Sequence, residues 1–310
     1  METLAEERES ARRLKGGLAS ARSKRFELTG PIVGIKIATY EIQGREASMP
    51  LAPVNGIDLY YELHGSGPTV VFAHGAGGNH ASWYQQVPFF SRFYEVVTFD
   101  HRGFGNSIDA NGLGRGGFVD DLEGLVEHLG REEVALVAQS MGGGTCMSFT
   151  VRHPERVTAL VMADTFGAMT LPEPFHSVQQ QRSEATRGLS QLDRVVSKSL
   201  PVRDPAKALL YLQLASFNSD SAAAPNRPGT PAEPVSMERV NAASRQVPML
   251  FIVGDEDALV PPEIIRVASQ TVTGAEFAVV QDSGHSVYFE QPAVFNHLVH
   301  QFLSGLLRRD

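Results

Sequence analysis

Six short apolar runs, each stopping at a polar or glycine-rich turn, set the tightest limit on what this chain can fold into. They are Thr69–Ala73, Tyr94–Asp100, Val134–Gln139, Val157–Asp164, Pro248–Gly254 and Ala275–Gln281. Continuous apolar strands of this length belong to a parallel sheet covered on both faces. Ahead of them, Ile57–Leu63 alternates apolar and polar residues, the pattern of a half-buried strand. Helical stretches fall between the runs, at Ala81–Phe90, Gly117–Leu129, Met141–Arg152, Pro262–Val272 and Pro292–Leu307. Strand and helix alternating in this way predict right-handed βαβ units. Functional residues in such sheets gather at the C-terminal ends of the strands.

One interval breaks the alternation. Residues 165–247 hold no clear strand. Helix is predicted at His176–Lys198 and Pro205–Phe217, and the Ala- and Pro-rich stretch Ala222–Pro234 reads as a mobile loop. The interval is expected to form a helical cap inserted after the sixth strand, with 49–164 and 248–310 as the core. Residues 1–48 mix Arg8, Arg12, Arg13 and Lys15 with Glu2, Glu6, Glu7 and Glu9. They are expected to be a poorly ordered extension, with a helical arm plausible from Thr3 to Leu14.

Bulk composition narrows the function classes. With 310 residues and 42% hydrophobic content, the chain can bury a large core. Its net charge of −8 disfavours phosphate backbones and anionic lipid, so neither a nucleic-acid nor a membrane partner is expected. The single cysteine, Cys146, allows no intrachain disulfide and no thiolate metal cluster, and it reads as core. No apolar run is long enough for a bilayer, and the N-terminus lacks the apolar stretch of a secretion signal. The expected protein is cytoplasmic, a monomer or homodimer, whose partner is a small-molecule substrate.

Four segments carry chemistry, and each begins where a run stops. Ala138-Gln139-Ser140-Met141-Gly142 places a serine at a strand-to-helix turn with small residues two positions to either side. A serine hydroxyl needs such an exposed setting, a base and oxyanion donors to become a nucleophile. An ordinary serine N-cap is the alternative. His74-Gly75-Ala76-Gly77-Gly78 follows the first run, where a plain glycine turn is the alternative and His74 reads as structural. Gly254-Asp255-Glu256-Asp257 and Val260-Pro261 follow the fifth run. Asp282-Ser283-Gly284-His285 follows the last.

The serine segment resembles the G-x-S-x-G nucleophile elbow of the α/β-hydrolase fold superfamily, with Ala138 in place of the first glycine. The order Ser, Asp, His matches that family as well. Asp100-His101-Arg102-Gly103-Phe104-Gly105-Asn106-Ser107 resembles its D-x-R-G-x-G-x-S stretch and reads as structural. The resemblance covers roughly Pro53 to Leu307. It implies an α/β fold with a mostly parallel, doubly wound sheet, and an esterase- or enol-lactonase-like serine hydrolase. It implies Ser140 as nucleophile, His285 as base and Asp257 as acid, with Asp255 and Asp164 as less favoured acids. Ala76 and Met141 N–H would form the oxyanion hole, and no metal or organic cofactor would be needed. Gln139, Phe166 and Val260 are candidate pocket residues from their places beside the motifs, although Phe166 could equally be cap core. The expected reaction is cleavage of a small carboxylic ester or lactone through an acyl-enzyme. The alternatives are a carbon–carbon bond hydrolase of ring-cleavage products and a slow-turnover, hydrolase-like ligand receptor. Ser286, where the carbon–carbon hydrolases usually carry an aromatic residue, lowers the former.

Overall fold

The computed structural model describes residues 50–218 and 234–307. The 1–48 extension and nearly all of the 222–234 loop lie outside the described residues. The described chain builds an eight-stranded, mostly parallel sheet in the order β1-β2-β4-β3-β5-β6-β7-β8. The strands are β1 Leu51–Val54, β2 Ile57–Gly65, β3 Thr69–Ala73, β4 Glu95–Phe99, β5 Val134–Gln139, β6 Val157–Ala163, β7 Met249–Gly254 and β8 Glu276–Val280. Only β1–β2 and β2–β4 pair antiparallel. The six apolar runs are the six parallel strands, β3 to β8.

Strand alternation divides the interior into two layers. Val71, Val97, Leu136, Leu160 and Phe251 face one layer, while Val70, Phe72, Val96, Val137 and Ile252 face the other. The first layer is covered by α2 Phe118–His128, α3 Met141–Arg152 and α9 Pro262–Thr271. The second is covered by α1 Val87–Phe90, α10 Val287–Glu290 and α11 Pro292–Leu307. Trp83 is fully buried in this second layer, against Phe72 and Tyr288, so it packs rather than lines a site. Cys146 is fully buried in the first, and burial pushes its thiol pKa far above the ordinary range.

Two predicted helices are interrupted. Ala81–Phe90 becomes a 3-10 turn at His80–Trp83, capped by the Asn79 side chain, followed by α1 with Pro88 in its first turn. His176–Lys198 becomes α4 Phe175–Thr186 and α5 Gln191–Val195. Ser190 adopts an extended conformation and caps α5 by accepting the Asp193 N–H, which ends helical continuity there. The interval between β6 and β7 continues with α6 Leu200–Arg203, α7 Pro205–Ser216 and α8 Met237–Ser244. Gln179 and Arg182 of α4 donate to the Leu259 and Ala258 carbonyls, just past the β7 end. Asn79 donates to the Leu214 carbonyl of α7. α4 and α7 are thus bonded to segments that follow the C-terminal ends of β7 and β3. α8 differs: Val240 and Ala243 are buried in the core layer that also holds α3.

Candidate active site

Ser140 occupies a strained turn. Its backbone has φ +47° and ψ −113°, a conformation that L-residues seldom adopt. The strain is held from both sides. Ser140 N–H donates to the Ala163 carbonyl at the end of β6, and Gly143 N–H donates to the Ser140 carbonyl. Small residues are needed here for a reason finer than the motif suggests. A Cβ on Gly142 would lie 2.4 Å from the Ala73 carbonyl oxygen of β3. One on Gly143 would lie 2.4 Å from the Thr165 methyl. The first turn of α3 is therefore wedged between the ends of β3 and β6. Ala138, fully buried in β5, lies in register between Ala73 and Met162.

His285 and Asp257 complete a relay. His285 Nε2 lies 2.8 Å from Ser140 Oγ, and His285 Nδ1 lies 2.8 Å from Asp257 Oδ2. A carboxylate accepts only, so Nδ1 carries the proton and Nε2 is free to accept the serine O–H. The other Asp257 oxygen accepts the Leu259 and Val260 N–H groups, both at 2.8 Å. His285 and Asp257 are both buried. Burial of His285 opposes its protonation, but the Asp257 charge and hydrogen bond, with Asp164 behind them, outweigh it and hold the imidazole pKa above its ordinary value.

The other acids have different tasks. Asp255 is exposed and accepts the Ser283 N–H. Asp164 is fully buried at a φ of +55° and accepts the Gly254 and Val287 N–H groups, each at 3.1 Å. Desolvation, then the Asp257 charge, raises its pKa to about 8. Glu290, which no sequence motif marks, also belongs to the site. It is buried, and its carboxylate accepts the Gly284 N–H beside His285 and the Ser197 N–H and O–H.

The His74-Gly75-Ala76 turn lies against the elbow: a Cβ on Gly75 would be 3.1 Å from Ser140 Cβ. His74 Nε2 accepts the His101 N–H, which leaves Nδ1–H to donate to the Gly75 carbonyl. His74 thereby ties the β3 turn to the β4 turn. In the turn after β4, Asp100 accepts the His80 and Asn106 N–H groups, and Arg102 is buried in an ion pair with Asp121. Among the described residues, neither the Ala76 nor the Met141 N–H is used by a protein acceptor. A cavity of about 290 Å³ opens beside Ser140, lined in part by Met141, Phe118, Val119 and Ala168.

The three candidate pocket residues are placed differently from one another. Gln139 is buried under the site, where its Nε2 donates to the His285 carbonyl at 2.7 Å. Val260 offers its backbone N–H to Asp257. Neither forms a wall of the Ser140 cavity. Phe166 lines a second cavity, with Met169, His176 and Gln179.

The fold agrees with what comparison with known proteins shows. The chain belongs to the α/β-hydrolase family: the alpha/beta hydrolase fold model matches residues 68–241, and a TAP-like protein model matches residues 217–309. It is 28% identical over 249 residues to 2-hydroxymuconate semialdehyde hydrolase of Pseudomonas sp. strain CF600, covering 78% of this chain and 85% of that protein. It superposes with a TM-score of 0.67 on a thermophilic esterase of Thermogutta terrifontis, at 25% identity, covering 85% of this chain and 99% of the other. A solved N-acyl homoserine lactone degrading enzyme matches with a TM-score of 0.68 at 27% identity, covering 82% of this chain and all of that one.

Proposed function

We propose that this α/β-hydrolase cleaves small carboxylic esters or lactones through an acyl-enzyme on Ser140. The observation that carries this reading is the Ser140–His285–Asp257 relay, two contacts of 2.8 Å with the serine on a strained turn. His285 Nε2 takes the Ser140 proton as Oγ attacks the carbonyl carbon. The oxyanion is received by the Ala76 and Met141 N–H groups, and Asp257 stabilises the imidazolium. The imidazolium then gives its proton to the leaving oxygen as the ester bond breaks. Water, deprotonated by the same nitrogen, releases the acid and restores Ser140. The esterase and lactone-degrading likenesses support this substrate class.

A fluorophosphonate probe with wild type and Ser140→Ala, followed by p-nitrophenyl esters of rising chain length, tests the reading. Labelling lost in the variant and turnover of short esters are expected. A wild type that neither labels nor turns over any ester would sink it. Labelling without ester turnover would favour the carbon–carbon hydrolase reading that the 2-hydroxymuconate semialdehyde hydrolase likeness brings.

A further inference from the structure

Arg115 lacks the acidic partner that several other arginines have. Arg102 is paired with Asp121 and Asp109, Arg131 with Glu95, and Arg152 with Asp120 and Glu123. Arg115 sits on a 3-10 turn, Gly114–Gly117, that leads into α2. Among the described residues, its guanidinium has no ion-pair or hydrogen-bond partner. It nevertheless lines the same cavity as Ser140, with Phe118, Val119, Met141 and Ala168. The side chain is exposed at the cavity mouth, yet the protein around it is enough to lower its pKa, and no acid offsets that cost. A partly desolvated guanidinium without a counter-charge favours an anion that can accept from its planar fork. The chain's net charge of −8 repels anions at long range, so an anionic substrate would need a dedicated cation.

The side of Ser140 matters. The cavity runs past Met141 and Thr145, and His285 is not one of its walls. The leaving oxygen must lie within reach of His285 Nε2, which protonates it. The part of the substrate that enters this cavity is therefore the acyl part. A second arginine, Arg194 of α5, lies where its charge is felt at His285, and its buried Nε has no partner among the described residues. Arg194 is thus the competing anion reader.

We propose that Arg115 binds a carboxylate carried by the acyl group, so that the preferred substrates are half-esters of short dicarboxylic acids. This rests on the Ser140 reading above. Phe118, Val119 and Ala168 would contact the methylenes between the two carbonyl carbons.

The test compares mono-p-nitrophenyl glutarate with p-nitrophenyl pentanoate, which have acyl chains of equal length. Wild type is expected to favour the charged ester in kcat/KM by about tenfold or more at low salt, mainly through KM. Arg115→Ala should bring that ratio to one or below, and Arg115→Lys should keep part of it. A wild-type ratio at or below one, a ratio unmoved by Arg115→Ala, or one that falls only with Arg194→Ala overturns the proposal. Binding gives an answer independent of turnover. Ser140→Ala should bind monomethyl glutarate in calorimetry, and adding Arg115→Ala should weaken that binding at least tenfold. Absent or unchanged binding overturns the Arg115 assignment. A wild type that neither labels with the fluorophosphonate nor turns over any ester would instead overturn the Ser140 reading alone.

Discussion

The Asp164 carboxylate accepts the backbone N–H of Val287, two residues past His285, and with its other oxygen accepts the N–H of Gly254, three residues before Asp257. One buried side chain at the end of β6 thus ties together the segments that carry the base and the acid.

Asn at position 164 would turn an amide N–H₂ toward a backbone donor. Asp164→Asn is therefore expected to destabilise the fold by about 1–3 kcal/mol. The effect should vary with pH in a definite direction. The folded-state pKa of about 8 lies above the unfolded value, so the wild type's stabilisation from this proton is complete only in acid and is lost as pH rises toward 8. The stability gap between wild type and variant should narrow from pH 4 to pH 8, read as urea midpoints. A gap that widens over that interval contradicts the assignment of the proton to Asp164.

Acid inhibition should set in above the ordinary histidine value. His285 must be neutral to accept the Ser140 proton, and its pKa is raised. Activity on a neutral ester should fall as pH drops through that raised value. Asp257→Asn should shift the limb toward lower pH and reduce kcat by about a thousandfold or more. Profiles of kcat/KM against pH for the two proteins check both effects.

Relief of backbone strain should be measurable at the elbow. Ser140→Gly removes the side chain that makes φ +47° costly, whereas Ser140→Ala keeps a Cβ there. The glycine variant should be more stable than the alanine variant by about 1 kcal/mol, and both should lack turnover. Equal melting temperatures would show that the turn stores no such strain.

Gln139→Ala should separate support from binding. It leaves the buried His285 carbonyl without its donor and should cost about 1–3 kcal/mol. Because Gln139 is not a wall of the Ser140 cavity, the kinetic loss is expected in kcat rather than KM. A rise in KM alone would place Gln139 against substrate.

The parallel strands were legible because a doubly covered strand must be apolar throughout, and each run in the sequence stops within a residue or two of the observed strand end. β1 carries no strand pattern in the sequence, being a short edge strand containing Pro53. Its signal was the Asn55-Gly56 turn, whose two positive φ angles suit a tight hairpin into β2. Ser140, His285 and Asp257 were legible for the same reason as the strands, since each follows a strand end. In the sequence, Asp164 offers itself only as an alternative acid, because its two backbone partners are 90 and 123 residues away. Glu290 and Arg115 were hidden in the same way. Their roles depend on what long-range packing brings beside them, and local pattern carries no trace of that.

The wedge of α3 between β3 and β6 separates two kinds of mutational freedom. The crowding surrounds positions 142 and 143, where any added carbon meets the β3 carbonyl or the Thr165 side chain, while the side chain at 140 extends toward His285. A different side chain can be exchanged onto residue 140 without rebuilding the backbone, whereas a side chain at Gly142 would run into the Ala73 carbonyl. In descendants or redesigned variants of this chain, the group presented at residue 140 is free to drift while the two glycines beside it stay fixed.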